Sequence, residues 1–198
     1  MTSLPKIDTK FMLEFLTKLL NTPSPTGFTQ AAIDLTEKTL KNFSALEIGR
    51  THKGALVATW PGEKSDTPRA LTAHIDTLGA MVKEIKSNGR LKLTKIGGYG
   101  WSSVEGEGCT IFTNQGKMVR GSLLLVQASG HVHGAKFTDT KREDENMEVR
   151  LDILTTSDEG TRAVGIEVGD FVVFDPRVEI TNGFVRSRHL DDKACVAN

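Results

Sequence analysis

Among 198 residues the chain has only two cysteines, Cys109 and Cys195. Two such thiols cannot build the disulfide framework of a small secreted domain, and they lack metal-type spacing. They read as buried or incidental thiols of a reducing compartment. No apolar stretch approaches the ~20 residues that a membrane span requires. The opening residues Met1-Thr2-Ser3-Leu4-Pro5 have no apolar core of signal-peptide type, and the first apolar stretch, Phe11 to Leu20, is interrupted by Glu14 and Lys18. An excess of one charge sign is missing too. Twenty-five acidic residues balance twenty-five basic ones, so no global field favours nucleic acid or an anionic membrane. The densest charged stretch, Lys141-Arg142-Glu143-Asp144-Glu145, mixes signs and reads as a solvated loop. There is no Gly-x-Ser-x-Gly elbow, and neither cysteine has a nucleophile's setting. Gly97-Gly98-Tyr99-Gly100-Trp101 is followed by no Lys-Ser/Thr and opens no helix, which excludes a phosphate-cradling loop. What these absences leave is a cytoplasmic globular protein of one ordinary domain or two small ones.

Hydrophobic period divides the chain. Phe11, Met12, Phe15, Leu16, Leu19 and Leu20 form a helical stripe over residues 9–21, closed by the turn formers Asn21-Thr22-Pro23-Ser24-Pro25-Thr26-Gly27. A second helix is predicted from Thr29 to Phe43. Short strands then follow at Ala45–Ile48, Gly54–Trp60, Ala70–His74 and Ala80–Ile85. This order predicts an α/β layer whose strand carrying His74 is central. From 86 onward the texture is β-rich, with strands at Leu91–Ile96, Cys109–Thr113, Met118–Val126, Met147–Leu154 and Phe171–Phe174. Asn114-Gln115-Gly116 is expected to turn a hairpin. One short helix is expected in this section, with Thr156 and Glu159 as a capping box and Gly165 as its stop. The reading is therefore an α/β unit, residues 1–85, interrupted by a β-rich insertion, 86–178, and resumed at 179–198. The final segment is a strand at Gly183–Arg188 and then a helix that has barely begun, too short to be stable by itself. An N-terminal portion of a longer protein is the expectation.

Two places carry candidate chemistry. In Ala73-His74-Ile75-Asp76-Thr77-Leu78-Gly79 an imidazole and a carboxylate stand two residues apart after an apolar run. On a strand such residues share a face, roughly 7 Å apart. Neutral imidazole suits Zn²⁺ or Co²⁺, and the carboxylate could receive its other ring proton. Alone, the pattern more commonly marks a hydrogen-bonded histidine near a strand end. Asp191-Asp192 is an acidic pair that would by itself more often cap a helix, although a shared carboxylate is also what two neighbouring cations require. His131-Val132-His133, with no cysteine or carboxylate partner in sequence, reads as a surface or interface loop.

Taken in order, these segments resemble the dinuclear metal aminopeptidases of metallopeptidase family 42, which include glutamyl, deblocking and tetrahedral-shell enzymes. The resemblance rests on Leu19–Gly27, Ala73–Val82, Lys95-Ile96-Gly97-Gly98, Gly165–Asp170 and Ser187–Lys193, and it covers essentially the whole chain. It implies a zinc-peptidase-like mixed sheet with flanking helices, incomplete here, interrupted by an all-β, barrel-like dimerisation domain. It implies two divalent metal ions, zinc or cobalt, with His74 ligating one, Asp191 bridging both and Asp76 orienting His74. A cis peptide between Asp191 and Asp192 is part of the same expectation, as are peptide substrates and self-association through 86–178 as a dimer or dodecamer.

Two departures qualify that picture. Many members have glutamate directly after the His-x-Asp, where this chain has Thr77. Together with Trp101-Ser102-Ser103-Val104-Glu105-Gly106-Glu107, this resembles the deblocking-type subgroup, so selectivity for acidic N-terminal residues does not carry over. The family's Glu-Glu pair (base and ligand), a further Asp and a final His have no counterpart among these 198 residues. The intact protein is thus expected to remove N-terminal residues from peptides, and the present chain to be inactive alone. The alternative is a non-catalytic truncated protein that acts only through its β-rich assembly domain. The metal reading requires that His74 and Asp191, distant in sequence, meet in space.

Overall fold

The computed structural model describes residues 6–64 and 66–198; Met1–Pro5, where no signal-peptide core is expected, lie outside the described residues. In chain order the elements are α1 (Thr9–Leu20), α2 (Gln30–Leu40), β1 (Glu47–Arg50), β2 (Leu56–Thr59), β3 (Gly79–Ile85) and β4 (Leu91–Ile96). They continue with β5 (Gly108–Phe112), β6 (Met118–Leu125), α3 (Gly130–His133), α4 (Ala135–Asp139) and β7 (Met147–Leu151). The last are α5 (Asp158–Ala163), β8 (Phe171–Phe174), β9 (Glu179–Thr181), β10 (Phe184–Arg186) and α6 (Leu190–Ala197). The fold is mixed α/β, with helices flanking a closed six-stranded sheet in sequence. It divides into two compact units, one comprising residues up to Thr77 with Pro176–Asn198, the other Leu78–Asp175.

In the first unit α1 begins at Asp8, whose carboxylate accepts from the Phe11 N–H at 3.0 Å. That bond satisfies one of the amide donors a helix start leaves unpaired. The buried face of α1 is Phe15, Leu16, Leu19 and Leu20, and the chain leaves the helix at Asn21, ahead of Pro23 and Pro25. Phe15 and Leu19 share a small core with Ala32 of α2 and Ile75, against which Val196 and Ala197 of α6 pack. Outside that core Arg50 of β1 reaches back to Asp34 (2.6 Å) and Glu37 of α2.

The strand expected at Ala70–His74 is not formed. Residues 70–76 run without regular secondary structure, and Leu71 is fully exposed. A strand is stable only when a neighbour takes its main-chain groups and one face is covered, and among the described residues none pairs with 70–74. The unit's strands are instead two separate antiparallel ribbons, β1–β2 and β9–β10, so no central strand carries His74.

The second unit is a closed antiparallel barrel in the order β3-β4-β7-β6-β5-β8. Closure leaves no open sheet edge within it. Alternation sets the inside: along β6, Val119, Leu123 and Leu125 are buried while Met118 and Arg120 are exposed. They join Val82, Leu91, Leu93, Ile111, Val149, Val172 and Phe174 in one core, each large apolar side chain contributing about 1.5–3 kcal/mol. Gly79–Ile85, placed by the sequence with the first α/β segment, pairs here with β4 and β8. The expected hairpin joins β5 to β6, its Gly116 at φ 77 in a conformation that disfavours a side chain. Ser157 rather than Thr156 caps α5, accepting from the Gly160 N–H at 3.1 Å. Two one-turn helices, α3 and α4, stand where a loop was expected, and they place His131 and His133 on α3. Trp101 is buried, its indole N–H donating to Asp144 at 2.6 Å and its ring meeting Tyr99 edge-on.

Candidate metal centre

The site is assembled in the first unit on two loops rather than on a sheet. After α1 the turn at 21–27 runs beside residues 75–77 as a short parallel bridge between Pro25 and Thr77. Ile75 enters the core, Thr77 is buried, and the residues on either side of Ile75 are left at the surface. Alternation therefore puts His74 and Asp76 on one face, as their spacing predicts.

Asp76 Oδ1 lies 3.0 Å from His74 Nδ1, while Asp76 Oδ2 accepts from the Thr26 hydroxyl. A carboxylate on Nδ1 holds the proton there and leaves Nε2 with its lone pair outward. The second segment approaches that nitrogen: His74 Nε2 is 3.2 Å from Asp191 Oδ1. Asp192 turns the other way, its Oδ2 accepting from the His74 main-chain N–H at 3.3 Å. The Asp191–Asp192 peptide is cis, and both residues have non-helical backbone angles, so α6 is regular only beyond them. The Asp191 side chain projects into solvent, 93% exposed, and α6 has no side-chain cap.

Electrostatics agree with this arrangement. Partial burial pulls the His74 imidazole pKa down, but the hydrogen bond and charge of Asp76 and the charge of Asp191 outweigh it and raise the pKa above its usual value. The Cys195 thiol donates to Asp192 and, against the opposing effect of burial and with help from the His74 N–H and imidazole charge, holds that carboxyl below the usual range. Hydrogen bonding to Asp192 correspondingly raises the Cys195 thiol.

The donor set suits a borderline divalent ion. One imidazole nitrogen and one carboxylate oxygen, each about 2.0–2.2 Å from zinc at a tetrahedral angle, would stand roughly 3.3–3.5 Å apart. The observed 3.2 Å between His74 Nε2 and Asp191 Oδ1 is close to that separation. Asp76 does not compete for the ion, because its oxygens are engaged by His74 and Thr26. Among the described residues no three His, Cys, Asp or Glu side chains gather around one point. His74 and Asp191 are therefore two candidate donors, where a stable site uses three or four protein ligands. His131 and His133 gather no such set either.

Sequence reasoning passes over three residues that build this site. Ser24 and Thr26 sit in a segment whose prolines mark it only as a turn. Lys193, in an incipient helix, is wholly buried, and its ammonium donates at 2.8 Å to the carbonyls of Leu19 and of Thr22. Burial pushes its pKa down to about 8. No local signal marks a lysine for burial, since its two acceptors lie far back in the chain.

Residues 54–198 match the sequence profile of the M42 glutamyl aminopeptidases. YhfE of Bacillus subtilis, provisionally named an aminopeptidase, is 52% identical over 186 residues, covering 93% of this chain and 53% of its own length. The aminopeptidase APDkam598 of Desulfurococcus kamchatkensis has a similar solved structure, with a TM-score of 0.81 at 25% identity over 94% of this chain and 49% of that one. The Pyrococcus horikoshii TET1 peptidase, described as assembling into a tetrahedron or a large octahedral shell, superposes with a TM-score of 0.72 at 24% identity, covering 94% and 53%. The chain spans about half the length of the relatives it matches. By the extent of the profile match, the chain belongs to the M42 glutamyl aminopeptidase family.

Proposed function

We propose that the protein is a metal-dependent aminopeptidase that removes N-terminal residues from peptides. The observation that supports this best is the meeting of His74 Nε2 and Asp191 Oδ1 at 3.2 Å, with Nδ1 already committed to Asp76. His74 would hold one divalent ion, zinc or cobalt, and Asp191 would bridge it to a second, while Asp76 keeps the imidazole in the tautomer that presents Nε2. When bound, a pair of such ions polarises a scissile carbonyl and brings a shared water's pKa toward neutrality. The chain's own part is to orient: Asp76 fixes the ring, and Asp192 draws the main chain of His74 toward the Asp191 segment.

The 198 residues alone supply neither a general base nor the remaining ligands, so this chain by itself is inactive. Loss of a general base alone typically costs 10²–10⁴-fold in rate. The barrel unit serves self-association, as a dimer or a dodecamer. The TET1 relative's shells support that role. Closure of all six strands around one core favours a second reading of the chain taken alone, a non-catalytic piece persisting through its barrel. Cytoplasmic location and the absence of nucleic-acid or membrane partners remain part of the proposal. Balanced charge supports the absence of nucleic-acid partners, and no helix among the described residues is long and apolar enough to cross a membrane.

The test uses full-length protein with amino-acyl chromogenic substrates. Chelation should abolish release and added Co²⁺ or Zn²⁺ should restore it, while His74→Ala should lower bound metal without unfolding the barrel. Activity indifferent to chelators, or full metal content in His74→Ala, would refute the reading.

A further inference from the structure

The turn at 21–27 touches both segments that carry the candidate ligands. On the His74 side the buried Ser24 hydroxyl donates to the Ile75 carbonyl at 2.9 Å. The Thr77 N–H donates to the Ser24 carbonyl at 2.8 Å, and the Thr26 N–H donates back to the Thr77 carbonyl at 3.3 Å. On the Asp191 side the carbonyls of Leu19 and Thr22 receive the Lys193 ammonium, each at 2.8 Å. Those carbonyls lie at and just beyond the end of α1, where helix acceptors lack intrahelical partners and the dipole is negative. A buried cation is costly to desolvate, and α6 already has Val196 and Ala197 to seat it in the core. What the cation adds is a fixed position for the main chain two residues beyond Asp191.

The direct contact between His74 Nε2 and Asp191 cannot set the spacing of a loaded site, because an ion held there would replace it. The register of the two segments must come from groups that metal does not claim. Ser24 and Lys193 are such groups. We infer that the 21–27 turn is a two-sided positioning element for the metal centre, with Ser24 the positioning residue for the His74 segment and Lys193 that for Asp191. This rests on reading His74 and Asp191 as ligands, and the test separates the two claims.

The full-length protein is prepared as parent, Lys193→Met, Ser24→Ala and His74→Ala. Methionine keeps an unbranched apolar stem and removes the charge and donors. Three quantities are measured: the nuclear Overhauser contact between the His74 ring and the Asp191 side chain without metal, Co²⁺ affinity by equilibrium dialysis, and amide exchange along α1. Lys193→Met should lose the contact and bind Co²⁺ about tenfold or more weakly, the loss typical of groups that orient ligands. Exchange along α1 should change less than about twofold. Ser24→Ala should lose the same contact while keeping Lys193 in place, and it carries the test if Lys193→Met does not fold. An unchanged contact in both variants overturns the inference. So does a loss accompanied by general loss of α1 protection, which would make these residues merely structural. If His74→Ala binds Co²⁺ as the parent does, the ligand reading fails, and the ring contact still decides whether the turn positions the two segments.

Discussion

Replacing Gly121 with alanine pushes a methyl group into the wall of the barrel, and its cost can be worked out from the neighbours. The new Cβ would lie 2.7 Å from Val149 Cγ1 and 2.8 Å from the Arg150 carbonyl oxygen. Val149 is fully buried and Gly121 is registered against Leu151, so the obstructing atoms belong to the adjacent strand β7. Valine's stiff χ1 gives little relief, and the carbonyl is main chain. Overpacking of this kind costs about 1–3 kcal/mol, while the narrower unfolded ensemble of alanine returns about 0.4–1 kcal/mol.

Gly108 on β5 supplies the control. Its Cβ would collide with Asp175 Oδ2 and Arg120 Nη2, but those groups form a surface ion pair, Asp175 38% and Arg120 49% exposed, that can swing aside. An exposed pair is worth roughly 0–1 kcal/mol, so Gly108→Ala should come out near neutral and Gly121→Ala about 1–2 kcal/mol less stable by the same balance. The assay is urea unfolding followed by Trp101 fluorescence in a Trp60→Phe background, because Trp101 is buried in the barrel and Trp60 is 77% exposed. If Gly108→Ala proves as costly as Gly121→Ala, the distinction between mobile side chains and fixed backbone is wrong.

Glu148 is 1% exposed and bridges Lys86 and Arg90; because both cations are partly exposed and can turn to water, Glu148→Gln should cost about 1–2 kcal/mol, not the ~3–5 kcal/mol of a fully buried broken pair. A loss in the higher range, measured by the same urea titration, would contradict that discount. Thr77 is buried and its Oγ1 has no hydrogen-bond partner among the described residues, so Thr77→Val should be neutral or stabilising by up to about 1 kcal/mol; clear thermal destabilisation would show that the hydroxyl is used. Burial pushes the Cys109 thiol up to about 12. Between the unfolded value near 8.5 and that point, the unfolded chain releases a proton the folded chain keeps, so stability is complete below the unfolded pKa and falls as pH rises. Going from pH 8 to 10.5, Cys109→Ala should lose roughly 2.5 kcal/mol less than the parent, and equal losses would refute the burial argument.

Particular segments show how far local pattern reaches. Leu91–Ile96 and Phe171–Phe174 form as expected, end to end, because β-branched and aromatic residues bounded by turn formers suit any sheet that takes them. Ala70–His74 has the same texture, but no strand among the described residues pairs with it, and it forms no regular structure. The one-turn helices α3 and α4 are too short to show a helical period at all. In the site, the His-x-Asp and Asp-Asp pairs are legible because ligand chemistry is written in residue type and spacing. Ser24, Thr26 and Lys193 are not, because a hydroxyl or an ammonium gains its role from an acceptor fifty or more positions away.

By itself the sequence determines which side chains can bind a cation, where the helical and alternating stretches run, and to which family the order of motifs points. The closing of six strands into a barrel, the move of Gly79–Ile85 into it, and the burial of Lys193 against Leu19 and Thr22 were decided only in three dimensions. The division has one physical cause. Propensity and donor chemistry are properties of short stretches, whereas pairing, burial and the 3.2 Å between His74 and Asp191 depend on atoms that chain folding alone brings near.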